Sequence, residues 1–182
     1  MLLKTILTRS MSFCVKVFVC LLLISFACHK NVPKSQNIMN IRLEIKSGEI
    51  FVIYKNNSAR VIRIWQPENS WGWENLSFIL HAKNSGVQIK IFRGSTMGWT
   101  KNGPAYFEIS PEHEMRIPLH LNEKSWKTDR DISKIKNEPL SVKAIFRITN
   151  TKEAKELNVW IGKTESEWLT APLPHNWLFP VD

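Results

Sequence analysis

The chain has 182 residues, 25 Lys+Arg against 16 Asp+Glu, 43% hydrophobic residues, eight tryptophans and only seven glycines. That length suits one domain or at most two small ones, and the balance excludes a disordered chain and a multi-span membrane protein. Neither G-x-G-x-x-G nor G-x-x-x-x-G-K-[ST] occurs, which argues against a nucleotide-binding α/β fold.

The first element is a leader. Lys4, Arg9 and Lys16, with no acid among them, precede an apolar run from Val17 to Ala27. A basic start, an apolar run and a small residue at its end mark a secretory signal. A membrane span needs roughly 20 apolar residues, and here His29, Lys30 and Asn31 follow at once. Residues 1–27 are therefore expected to be a signal peptide, with Met1 and Met11 both open as the start.

The sequence Ser25-Phe26-Ala27-Cys28 resembles a bacterial lipobox, whose cysteine is diacylated and becomes the first residue of the mature chain. It departs from that pattern at Ser25 and Phe26, and ordinary signal cleavage between Ala27 and Cys28 stays open. Cys14 and Cys20 leave with the leader, so Cys28 is the sole cysteine beyond residue 27. A lone cysteine in an exported chain has no intramolecular partner; acylation removes that liability and accounts for its position. Residues 28–37 are polar, contain Pro33, and read as a tether. The lipobox resemblance implies a lipid anchor at Cys28, in the outer membrane if the host has two, because residue 29 is His rather than Asp. The alternative is a soluble secreted or periplasmic protein.

Beyond the leader, 22 cations face 16 acids, a net +6. The charge is spread rather than blocked, so it reads as a solvated surface before it reads as a site for anionic lipid or polyanions. A body of that size buries about 70% of its unfolded surface, enough for one core without disulfides.

Period-2 alternation then dominates. Strands are expected at 41–45, 50–54, 61–65, 76–80, 87–93, 106–109, 115–121, 142–148 and 157–161. Turn clusters separate them at 55–60, 83–86 and 150–155. Pro118 places its strand at a sheet edge, because it lacks a ladder donor. Residues 123–139 are the most polar stretch and read as a loop with one helical turn around Ile132 and Ile135. Prolines 172, 174 and 180 make the end an irregular tail. About eight to nine short strands at such spacing predict an all-β antiparallel sandwich, residues 38–182 forming a single domain with that tail.

The segment Leu140–Ile148, a turn, and Val159-Trp-Ile-Gly-Lys-Thr-Glu-Ser166 resembles the closing hairpin of immunoglobulin-like domains in uncharacterised bacterial secreted proteins. The resemblance implies an immunoglobulin-like fold and carries no activity. The Cys…Trp…Cys spacing of antibody domains is absent.

Chemistry has few footholds. Beyond the leader lie His29, His81, His113, His120 and His175; only His113, between Glu112 and Glu114, has acidic neighbours in sequence. Their spacing fits no zinc or calcium pattern, and no G-x-S-x-G elbow occurs. No catalytic residue, metal or cofactor is assigned, and a hydrolase built on His113 with Glu112 or Glu114 is a remote alternative. No nucleic-acid motif is present.

Tryptophan is the distinctive component. Trp65 and Trp160 sit among strand residues and are expected to pack on the core or cap its ends. Trp71, Trp73, Trp99 and Trp126 fall in loops, with Arg93 and Lys101 near them in sequence. Loop aromatics either plug a sandwich end or bind a partner, since they offer area with few rotors and a polar handle. Trp71, Trp73, Trp99, Trp126, Arg93 and Lys101 are thus the candidate binding surface. The sequence leads to a non-catalytic lipoprotein of the cell envelope, with an envelope protein as partner or, alternatively, a glycan stacked on the tryptophans.

Overall fold

Alternating apolar residues become strands because successive side chains of extended backbone point to opposite faces. The computed structural model describes residues 38–94, 103–121, 125–135 and 137–170. Ten strands occur among them: β1 Met39–Lys46, β2 Glu49–Asn56, β3 Ile62–Trp65, β4 Leu76–Ala82, β5 Gln88–Arg93, β6 Tyr106–Ile109, β7 Glu114–Leu119, β8 Trp126–Thr128, β9 Leu140–Ile148 and β10 Gly162–Glu165. They form a three-stranded sheet in the order β1-β2-β7, a five-stranded sheet β10-β9-β4-β5-β8, and a ribbon β3-β6. Every strand pairing is antiparallel. The all-β sandwich expected from the alternation is what the chain builds.

Local chemistry sets the turns. Lys46 pairs with Glu49, leaving Ser47 and Gly48 as a two-residue loop, both at positive φ. That is the I′ geometry whose twist matches antiparallel strands, and Gly48 supplies the left-handed conformation at little cost. The 83–86 cluster joins β4 to β5, as expected.

The inward faces share one core. Ile41, Leu43, Val52 and Tyr54 of the small sheet meet Phe78, Leu80, Ile89, Val142 and Phe146 of the large one. The Tyr54 ring sits edge-on to Phe146 at 5.0 Å. Trp65 is buried and Trp160 stacks on Phe146 at 6.0 Å, so both pack on the core as their sequence positions suggested. Pro118 lies in β7, an edge strand of its sheet.

Two stretches differ from the expectation. Residues 157–161 are not a strand: Thr151 caps a short helix, α1 (Lys152–Glu156), accepting from Ala154 N, and Val159 then makes only a parallel bridge to Arg63. The last strand is the polar Gly162–Glu165, which pairs with β9 and turns only Thr164 into the core. Residues 123–139 are not all loop, because Trp126–Thr128 adds β8 to the edge of β5. The expected helical turn is present at Ile132–Ile135, with Ile135 buried.

Candidate functional site

The loop between β3 and β4 aims its tryptophans inward, and one buried asparagine is the cause. Asn69 Oδ1 accepts from the backbone N–H of Trp71 (3.1 Å) and Gly72 (3.0 Å). Its carbonyl takes Trp73 N at 2.9 Å, and its Nδ2 donates to Ala105 O at 2.9 Å. An Asn side chain bonding its own backbone two residues on is a strong turn former. Gly72 completes the turn: a Cβ there would run into the Gln66 carbonyl. Trp71 comes to lie 6.3 Å from Trp65, half-buried, while Trp73 is only 7% exposed and donates Nε1 to Gly94 O at 2.8 Å.

Arg93 reaches the same end of the sandwich from β5. It shares the inward face of Ile89 and Ile91, and it pairs in register with Trp126 of β8. Its guanidinium is held between two indoles, 4.4 Å from the Trp73 ring and 4.8 Å from the Trp126 ring. Nη1 donates to Pro67 O at 2.8 Å, tying the stack back to the β3–β4 loop. Trp126 stands edge-on to Phe78 at 5.5 Å. A guanidinium on indole faces is attractive electrostatically and gains as water is excluded. A cavity of about 30 Å³, lined by Val52, Trp73, Leu119 and Trp126 among others, lies against the stack. It has room for one water, next to a Trp126 Nε1 that is buried with no acceptor among the described residues.

Three expected tryptophans and Arg93 therefore converge on one end of the sandwich. Trp73 plugs this end, buried against the core, while Trp71 and Trp126 are half-buried and keep part of their surface open. Trp99 and Lys101 lie outside the described residues, as do Ala27 and Cys28. Asn69, which directs the indoles, was not singled out from the sequence. Its signal was an asparagine two residues before Trp71 in a Pro-Glu-Asn-Ser turn cluster.

The acids beside His113 are arranged differently. Glu112 stands at positive φ, and His113 Nδ1 donates to Pro111 O at 2.7 Å. Glu114 turns away across β2 to Arg42, accepting two hydrogen bonds at 2.6 and 3.1 Å. The Arg42 guanidinium holds this carboxyl below the usual carboxylate range, the reverse of what a general acid needs. Among the described residues, no three His, Cys, Asp or Glu side chains gather as metal ligands.

The outer face of the three-stranded sheet carries a closed ion network. Arg42 and Arg116 flank Ile53 in register, and both reach Glu44, at 3.4 and 3.3 Å. Ile53 is fully buried beneath them. No described helix is long and apolar enough to cross a membrane. No family model, curated protein or solved structure matches this chain.

Proposed function

We propose that the chain is a non-catalytic module of the cell envelope, lipid-anchored at Cys28, that acts as a binding or structural element through its tryptophan-rich end. The observation that carries this reading is the Trp73–Arg93–Trp126 stack. Its inner members are fixed by hydrogen bonds to Gly94 and Pro67, while Trp71 and Trp126 keep part of their surface open. Rigid aromatics lose little freedom on binding and serve as anchors for a protein partner. A glycan alternative rests on Trp71, Trp126 and Trp99, because Trp73 has almost no exposed ring to offer a sugar. The anchor is supported by Cys28 being the sole cysteine beyond the leader, and residues 28–37 span at most roughly 35 Å when extended.

Intact mass of the protein purified from host membranes tests the anchor. The expected product begins at Cys28 and carries diacylglycerol, and Cys28→Ser moves the protein to the soluble fraction. An unmodified soluble wild-type chain overturns the anchor. Titration with envelope glycans, read by tryptophan fluorescence, tests the alternative: saturable quenching that survives Trp73→Phe and is lost in Trp126→Ala supports it.

A further inference from the structure

The outer face of the five-stranded sheet differs in charge from that of the three-stranded sheet. In register, its outward rows are Lys163–Arg147, then Glu165–Ile145–Ser77–Phe92–Lys127, then Lys143–Ile79–Lys90. Five cations thus meet one acid in these rows, with Asp129 beside Lys90 as a second. Both acids are already engaged. Glu165 binds Lys143 at 2.7 Å and Lys163 at 2.6 Å, and Asp129 Oδ1 accepts from Lys90 N at 2.7 Å. Lys90, Lys127 and Arg147 make no ion pair among the described residues. The opposite outer face is close to neutral, its Arg42 and Arg116 closed onto Glu44 and Glu114.

Aromatic groups are set among these cations. Trp168, 38% exposed, lies beneath Lys143 at 5.3 Å and beside His81 at 5.8 Å. Lys90 stands 5.6 Å from the Phe92 ring. Five strands about 4.8 Å apart make a surface roughly 19 Å wide. It is a broad positive sheet with an interfacial indole rather than a cleft.

We propose that this face docks on an anionic lipid bilayer. Charge complementarity favours that occupant, since lysines near an anionic leaflet are attracted individually and an indole settles at the headgroup level. The inference rests on the reading that residues 28–37 tether the domain to a membrane, and its test is separable from that reading.

The full-length protein is mixed with vesicles of phosphatidylcholine alone or with phosphatidylglycerol, and lysines are acylated and mapped by mass spectrometry. On anionic vesicles Lys90, Lys127 and Lys163 are expected to label at least about fivefold more slowly, the factor that matches one cation's attraction to such a surface. Lys46 and Lys55 label as before, and about 0.5 M salt removes the protection. The variant Lys90→Gln/Lys127→Gln/Arg147→Gln, whose changes are all at exposed positions, is expected to lose protection at Lys163. Equal labelling on both vesicle types overturns the proposal. So does protection by soluble dextran sulfate that displaces the domain from vesicles, which would assign the face to a polyanion. Labelling reports on the face whether or not Cys28 is acylated, whereas failure of the anchor shows in the intact mass.

Discussion

At the residue scale, Arg93 is the side chain on which most depends. A cation inside a sandwich is expensive unless its charge is met, and here two indole faces meet the charge while Nη1 donates to the Pro67 carbonyl. Arg93→Ala is expected to cost about 2 kcal/mol, the scale of a desolvated cation–π contact, read as a lower denaturant midpoint. Trp73→Ala removes a buried indole and is expected to cost about 3–5 kcal/mol in the same measurement. Acid titration tests a different residue. Hydrogen bonds from Lys143 and Lys163 bring the Glu165 carboxyl down to about 2. A depressed carboxylate favours the fold above its unfolded value and loses that contribution as pH falls through the folded one. Stability attributable to Glu165 is therefore present above about pH 4.5 and lost towards pH 2. Glu165→Gln is expected to flatten the acid limb of the stability curve there, by a small amount because the side chain is 36% exposed.

At the scale of elements, the strands with several alternating apolar residues were legible and the short polar ones were not. β1, β4, β5 and β9 each bury one clean face, so period-2 reading located them. β10 reads Gly-Lys-Thr-Glu and buries only Thr164; its other side chains serve ion pairs across β9 and to each other, so no hydrophobic pattern announces it. The apolar 157–161 run was misleading because α1 and its buried Ala154 hold that segment across β3 instead. β8 is three residues long and owes its existence to the free edge of β5. The site was half legible. Composition placed tryptophans in loops with Arg93 near them in sequence, as parts of a binding surface, whereas Arg93 shares the core face of Ile89 and Ile91. The inward aim of Trp71 and Trp73 follows from Asn69 and Gly72, which act through backbone geometry that hydrophobic patterning does not register. Gly72→Ala, whose methyl meets the Gln66 backbone, is expected to cost about 1–3 kcal/mol and to raise solvent quenching of tryptophan fluorescence.

At the scale of the whole molecule, two opposite outer faces differ in charge on one sandwich. One sheet neutralises itself over Ile53, and the other leaves Lys90, Lys127 and Arg147 without counter-ions among the described residues. The difference predicts distinct salt responses. Arg42→Gln is expected to lower stability by about 1 kcal/mol or less at low ionic strength, vanishing in high salt. The triple substitution on the large sheet is expected to leave stability within about 0.5 kcal/mol, both measured by chemical denaturation.

Pro118 bears on how many copies can share a surface. Chains confined to two dimensions meet one another far more often than chains in solution, and their sheet margins are the natural place for them to zip together. Antiparallel margins recruit neighbours through unspent amide donors. At Pro118, on the margin strand β7, one such donor does not exist. Wherever copies of the domain crowd together, the β7 margin therefore offers a neighbouring strand one rung fewer, and zipping along that margin is weakened at Pro118.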